Sequence, residues 1–426
     1  MRGAIAGLTL GFTLFASSHA VLAQAVLVVD QAGGAGSDVT EIRDAIEIAG
    51  PGDTILVRGG SYLPFTIDAL PVSVIADLGA TVTVNGEIRV QNLGDGQTVL
   101  LRGLTTGTPS VYGFAGVDNL GALRIEDCEF RAGFPPEPFF GIGADGMHLW
   151  KCADVVITRC QILGGDGTQG LITQGVGGAG VRAYKSMVTI HGSSLTGGKG
   201  GLAGLAGGQL GGAGLRVEKE CLVFLSGCEL QGGSGGDVAV SDGCGVPGTG
   251  GWAIHFVFTM GNNSTAITLD CTLTPGAGGE DAGGTTPPCP PGATGQLVDT
   301  DGEWTYLPLT GAGRALSAQA PVREGEDVEL LFMGQPEDTA FLLASPFTEH
   351  IWLSNYQGTL LVPAGSPLFA VGVVQASGSL GLTTPMPPLP PALESLSLHL
   401  QSVYQPGGGG TALGGGTDLV ALDASF

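Results

Sequence analysis

One sentence of sequence, written three times, constrains this chain more than any other feature. Gly146, Gly180 and Gly214 stand 34 residues apart, and so do Lys151, Lys185 and Lys219. Between each glycine and its lysine lies a short strand-like run: GMHLWK, GVRAYK and GLRVEK. A second run follows each: VVITRC from Val155, VTIHGS from Val188 and LVFLSGC from Leu222. A long glycine-rich arm then closes the unit. Repetition at a fixed period of this size specifies a solenoid, because a single unit cannot bury its own apolar face and must stack on the next.

Aligned on the second run, Cys128, Cys160, Ser193, Cys228 and Cys271 share one position, and Phe130, Ile162, Leu195, Leu230 and Leu273 share the position two residues later. Parallel strands stack about 4.8 Å apart, so equivalent residues pile into ladders. The expectation is an inward apolar ladder beside an inward ladder of small residues. Cysteine is among the most buried residue types, which suits a reduced ladder. The same spacing admits disulfides between adjacent coils, Cys128–Cys160 and Cys228–Cys271. Cys244 and Cys289 sit in loops and form a third candidate pair.

The arms span about 163–180, 197–214 and 232–251. Their register repeats with the coils: Gly177-Gly-Ala-Gly180 recurs as Gly211-Gly-Ala-Gly214. The arms are therefore expected to stack as a glycine layer whose amides pair from arm to arm. Glycine is expected there for close backbone approach and for left-handed conformations.

Composition narrows the class. Glycine is 77 of 426 residues and charged residues are 13%, against roughly 7% and about 25% in ordinary proteins. A formal net charge of −23 argues against nucleic acid or an anionic membrane as a partner, since both demand a basic face. Residues 1–25 read as a secretory signal: Arg2, a short apolar core from Ala4 to Ala16, and small-residue cleavage sites at 21–23 and 23–25. No later stretch is long and apolar enough to span a bilayer as a helix. The expected location is secreted or at the cell surface.

After a first strand at Val26, Asp38 is placed to open a helix, with Glu41 in capping-box position. Val39, Ile42, Ala45, Ile46 and Ala49 fall on one face, and Gly50-Pro51 stops the helix. The stretch from Thr40 to Tyr62 resembles the opening of right-handed parallel β-helix proteins of the pectin-lyase-like superfamily. The resemblance implies that this helix plugs the first coil, covering apolar side chains and unpaired backbone that an open solenoid end exposes. It implies fold rather than activity, because that superfamily holds lyases, hydrolases, esterases, adhesins and inert scaffolds alike. The expected architecture is all-β: a right-handed parallel β-helix over 26–275, a Gly/Pro-rich linker over 276–294, and a C-terminal β-sandwich over 295–426. The last part has about eight closely spaced strand-like runs. It resembles the sandwich often fused to exported bacterial β-helix proteins, with Gln401 inside an alternating strand.

Chemistry is harder to read. Polygalacturonase-like members carry an Asn-x-Asp motif, then an Asp pair, Gly-His-Gly and Arg-x-Lys. Ala144-Asp-Gly146 resembles the first, Gly165-Asp-Gly167 follows 21 residues later, and His191-Gly192 sits one coil on. The chain departs from the pattern in having no Asp pair, no Gly before His191 and no Arg-x-Lys after it. Asp145, Asp166 and His191 are thus the catalytic candidates, set against a reading of Asp145 and Asp166 as turn residues. Lyase members use a basic proton abstractor and calcium. Lys151, Lys185 and Lys219, with Arg182 and Arg216, form a basic ladder suited to an acidic glycan or to a solvated edge paired, for example, by Glu218. Asp299, Asp301 and Glu303 resemble half of a calcium loop whose distal acid is missing. Beyond that candidate calcium no cofactor is expected, and nothing in the sequence sets the oligomeric state.

These readings favour an exported, non-catalytic surface or extracellular module, either structural or in contact with a polysaccharide or cell-envelope glycan. A lyase or hydrolase acting on acidic polysaccharide is the alternative.

Overall fold

The computed structural model describes residues 24–107, 111–133, 141–168, 175–202, 207–238, 245–257, 263–281, 290–299, 302, 304–391 and 393–426. All but the last two residues of the expected signal segment lie outside that set.

From Val26 to Leu309 the chain winds as a parallel β-helix with three faces. The first face holds Val26–Val29, Thr54–Val57, Ser73–Ala76, Thr98–Arg102, Met187–His191, Leu222–Ser226, Thr265–Leu269 and Thr305–Leu309. The second holds Phe65–Asp68, Ile88–Gln91, Val181–Tyr184, Leu215–Val217 and Ile254–Phe256. Two long strands, Phe114–Glu126 and Met147–Thr158, run round the corner and serve both faces. The third face is eight three-residue strands, from Gly60–Tyr62 to Thr272–Thr274. The repeat sets the register: Met147, Val181, Leu215 and Ile254 stack in one file, and Leu149, Ala183, Val217 and Phe256 in another, all fully buried.

The corners explain the small-residue ladder. Between the second and first faces each coil turns through a left-handed residue: Ala69, Asn92, Asp118, Lys151, Lys185 and Glu220, with φ between 48° and 60°. Between the first and third faces Gly103, Asp127, Arg159, Gly192, Gly227 and Asp270 do the same. The residue after the turn points inward and must satisfy a neighbouring coil's amide, because a buried N–H cannot be left unpaired cheaply. Ser193 Oγ accepts the Cys160 N–H at 3.0 Å. A second ladder, which the sequence reading missed, does the same at the other corner. There Ser186 Oγ accepts the Cys152 N–H, Cys221 Sγ the Ser186 N–H, and Ser264 Oγ the Cys221 N–H. Its signal was present: Cys152, Ser186 and Cys221 each follow Lys151, Lys185 and Glu220 directly.

Cys128, Cys160, Cys228 and Cys271 stand as free thiols, so the pairings 128–160 and 228–271 are not made. Each thiol is engaged instead by a backbone carbonyl at 3.1–3.4 Å. Cys244 and Cys289 lie outside the described residues.

The helix is Ile42–Ile48, with Ile42 and Ala45 buried against the first coil. It starts later than the sequence suggests and the capping box does not form. Asp38 accepts the Val28 N–H instead, and Glu41 the Leu63 N–H.

The arms do stack, as segments outside regular strands whose amides pair from arm to arm at every third residue, as at Gly164 and Gly167 or Gly197 and Gly200. Outgoing segments pair coil to coil: Gly164 N–H to Thr196 O, Gly197 to Gln231, Gly232 to Thr274. Returning segments pair likewise: Gly143 to Val176, Gly177 to Leu210, Gly211 to Thr249, Gly250 to Ala293. A third set zigzags between the two rows, Gly178 to Gly165, Gly198 to Gly178, Gly212 to Gly198, and on to Gly295. Glycine is demanded by closeness. A Cβ on Gly178, Gly212, Gly233, Gly251 or Gly276 would lie 1.9 Å from a carbonyl oxygen of the preceding segment in its own row. The expected left-handed conformations are not what these positions use, since none of the five has a positive φ. Gly276, Gly279, Gly292 and Gly295 join the same layer. The described residues of 276–294 therefore form part of a fourth arm rather than a linker, and Thr305–Leu309 adds one more parallel strand to the first face. The β-helix thus continues past 275, and sandwich strands begin at Ala315.

The sandwich sets a three-stranded sheet (Ala315–Ala318, Asp327–Met333, Ser379–Pro385) against a five-stranded one (Val322–Arg323, Ala412–Leu422, Ser395–Gln405, Thr339–Ser345, Leu368–Val373). Its core includes Leu316, Phe332, Leu342, Leu400 and Tyr404. It lies lengthwise on the first face. Strand Ala412–Leu422 is buried throughout: Leu419 and Ala421 enter the sandwich core, while Val420 and Leu422 meet Val26, Val28, Leu56, Ile75 and Leu100 of the β-helix. First-face strands are therefore buried on both sides, which is why they read as continuous apolar runs.

Candidate functional site

The second face is free of the sandwich, and its outward residues form two files. One runs Arg89, Ala115, His148, Arg182, Arg216, His255; the other runs Gln91, Val117, Trp150, Tyr184. Period-2 alternation puts these side chains outward because their neighbours Met147, Leu149, Val181 and Ala183 are committed to the core.

The half-buried Trp150 and Tyr184 rings stack at 3.9 Å between centroids and 12° between planes. His148 lies parallel to Trp150 at 6.2 Å, and Tyr112 stacks on His148 at 4.7 Å. Lys185 Nζ sits 6.0 Å from the Tyr184 centroid. A second stack, Trp252 on His255 at 4.2 Å, lies farther along the face.

Charge is paired across this face. Glu218 Oε1 accepts from Arg182 Nε at 2.9 Å and Arg216 Nε at 3.0 Å. Asp145 Oδ1 accepts the Ala179 N–H at 3.0 Å, and its Oδ2 faces His148 Nδ1 at 3.5 Å and Arg182 at 3.7 Å. Despite burial, Asp145 and Glu218 hold the Arg182 guanidinium above its ordinary pKa. Burial, with help from Asp145, pushes the Tyr112 phenol up. Burial and the neighbouring Arg216 hold His255 down at about 4.

The sequence candidates scatter. Asp145 belongs to this face. Asp166 lies on the first outgoing arm, where it accepts the Lys199 N–H at 2.7 Å and borders a shallow groove of about 340 Å³ with Thr168, Lys199 and Asp237. His191 points outward from the first face and is sealed beneath the sandwich at 2% exposure. His191 is therefore not assembled with Asp145 and Asp166 around one substrate. Lys151, Lys185 and Lys219 form a ladder of ion pairs, with Asp118 at 3.2 Å, Glu220 at 3.2 Å and Glu220 at 3.5 Å. Glu218 serves the arginines rather than the lysines. Asp299 approaches His255 Nε2 at 3.6 Å; Asp301 and Glu303 lie outside the described residues. Among the described residues no group of three or more His, Cys, Asp or Glu side chains is placed to hold a metal.

The aromatic stack was missed because Tyr112, Trp150 and Tyr184 look like apolar filling in a strand. Their signal is positional: Trp150 and Tyr184 each precede the ladder lysine directly, on the outward phase.

No family profile and no curated protein sequence matches the chain. Solved structures similar to it include pectate lyase Pel9A, at 12% identity over 62% of this chain and 82% of that one, with a TM-score of 0.29. Another is the A-module of the Azotobacter vinelandii mannuronan C-5 epimerase AlgE4, at 12% identity, 66% and 99% coverage and a TM-score of 0.21. A third is the receptor-binding domain of the Siphovirus 9NA tailspike, at 11% identity, 85% and 73% coverage and a TM-score of 0.19. Likenesses this distant add nothing to the strand pairing that defines the β-helix. No described helix is long and apolar enough to cross a membrane.

Proposed function

We propose that the protein is an exported glycan-binding β-helix that holds a polysaccharide along its second face. The observation that carries this reading is the Trp150–Tyr184 stack, flanked by the Arg182–Glu218–Arg216 and Asp145 pairs. Stacked rings offer a flat apolar shelf to the C–H face of a sugar. Paired guanidinium and carboxylate groups beside it offer donors and acceptors to hydroxyls and to uronate carboxylates. The cations here are balanced by local acids, so the face is far less negative than the chain as a whole. A glycan screen scored for both retention and cleavage tests the reading. Retention by the wild type and its loss in Trp150→Ala support it; equal retention by both sinks it. Export is tested by fractionating the native host and sequencing the N-terminus of the mature chain, expected near residue 24 or 26.

A second reading is catalytic. Tyr112, His148, Asp145 and Arg182 gather three proton-transferring side chains and one guanidinium at one end of the face. Such a set suits proton abstraction beside a uronate carboxylate. Release of unsaturated products from a polyuronate, abolished in Asp145→Ala, would establish it. Retention without product leaves the binding role alone.

A further inference from the structure

His191 is buried beneath the sandwich with neither ring nitrogen hydrogen-bonded. A buried imidazole with no partner is costly and uncommon. Its surroundings explain why none is found. On the sheet, Thr158 and Ser226 lie in register on either side. Phe224 meets it edge-on at 5.9 Å, and Arg159 is the cation at the adjoining corner. From the sandwich comes the backbone at Gly415, where even a Cβ would fall 3.2 Å from the imidazole. After burial itself, His350 on that side and Arg159 at the corner both disfavour a positive charge on the ring.

The anions of the seam are already committed. Glu126 accepts from the Asp418 N–H at 2.8 Å and from Thr417 at 2.9 Å, and also meets Arg102 at 3.3 Å and Arg159 at 3.2 Å. Asp127 is taken by the same two arginines. Asp154 is taken by Arg124 and His350, and Asp418 by His399. A proton added to His191 therefore meets carboxylates already engaged elsewhere while the seam is closed, with the unpartnered Thr158 hydroxyl on the adjacent strand as a neutral acceptor.

We propose that His191 is a proton-triggered release in the seam between sandwich and β-helix: protonating this ring favours parting the sandwich from the first face. Burial holds the ring down at about 4 against an ordinary 6.5. The parted form thus binds the extra proton between those values. Through this ring alone, closing is fully favoured above 6.5 and loses about tenfold in its equilibrium per pH unit as pH falls toward 4. Glu126 works the other way, since burial pushes it up to about 7. Asp154 and Asp418, both held below the ordinary carboxylate value, act with His191 only at still lower pH. The His191 contribution is isolated by comparing the wild type with His191→Phe, which leaves the carboxylates in place.

The test is amide exchange of the full chain from pH 7.5 to 4.5, corrected for intrinsic rates. Relative to the third-face strand Ser194–Thr196, protection of Met187–His191 and Ala412–Leu422 should decline more with falling pH in the wild type than in His191→Phe, by up to about tenfold per pH unit below 6.5, because Glu126 offsets the ring in the wild type and acts unopposed in the variant. The same slope in both proteins overturns the proposal. Should the variant not fold, titration of isotope-labelled histidines in the wild type decides. The His191 ring, assigned apart from His255, supports the proposal if its midpoint lies well below 6.5 and is coupled to seam opening; a His191 midpoint at or above 6.5 overturns it.

Discussion

Trp150 and Tyr184 stack one coil apart at 3.9 Å because their strands pair in parallel register, residue on residue. A parallel pair spaces its strands about 4.8 Å apart in the hydrogen-bonding direction, so two large rings can lie nearly flat on each other only by leaning together. If this shelf is the centre of the glycan contact, Trp150→Ala should weaken retention about tenfold or more. That corresponds to the ~1.4 kcal/mol or more that truncating a central aromatic anchor costs. Tyr184→Phe keeps the ring and should lose far less. Affinity electrophoresis or calorimetry with the screened glycan reads the difference, and unchanged circular dichroism would confirm that both variants fold.

The glycine layer makes a sharper demand. Gly178→Ala places a methyl group 1.9 Å from the Ala144 carbonyl oxygen, backbone that cannot move without shifting a whole arm. We expect it to cost at least the ~1–3 kcal/mol of an overpacked core, with a lower melting temperature. Gly365→Ala is the control. Nothing lies within 4 Å of that Cβ and the φ is not in the left-handed region, so the change should be neutral or slightly stabilising. Equal melting temperatures for the two variants would mean that the arms do not pair as described.

The periodicity made much of the fold legible. The spacing of Gly146, Gly180 and Gly214 fixed the coil, and the file Phe130, Ile162, Leu195, Leu230, Leu273 gave the inward phase of the third face. Three things were hidden, each for a physical reason. The fourth arm looked like a linker because Gly276, Gly279 and Gly292 stack only through backbone, which leaves no side-chain pattern to read. The covered first face was invisible because Thr189 and His191 look outward and polar, and only the sandwich decides that they are buried. The aromatic stack needs two strands side by side before it exists. Among candidate site residues, Asp145, Arg182 and Arg216 were recognisable by charge. His148, placed between Asp145 and Tyr112, was not, since a single histidine within a strand carries no spacing signal.

Ser193 tests the corner ladder. Its hydroxyl accepts the Cys160 N–H and donates to the His191 carbonyl at 2.9 Å. Ser193→Ala orphans a buried amide and should cost about 1–3 kcal/mol in urea unfolding. Ser193→Cys places at this step the residue that its ladder neighbours Cys160 and Cys228 already use, so it should cost clearly less. An alanine variant as stable as the wild type would remove the ladder's energetic role.

Arg124 and Asp154 make the strictest prediction. The guanidinium is buried and gives two bonds to the carboxylate, at 2.6 and 2.8 Å, while His350 of the sandwich approaches the same carboxylate at 2.9 Å. Burial alone would raise the Asp154 pKa, but Arg124 and His350 together hold it far below its ordinary value. A depressed carboxylate contributes stability that is fully present above the ordinary value near 3.8 and is lost as pH falls below it. Asp154→Asn strands the Arg124 charge without its counter-ion and should cost about 3–5 kcal/mol at neutral pH, the usual penalty for breaking a buried pair. The variant should also lose less stability than the wild type on acidification below pH 4, because it has no carboxylate left to protonate. Urea unfolding at pH 7 and pH 3 measures both effects. A variant that matches the wild type at neutral pH would show that this buried pair adds nothing to stability.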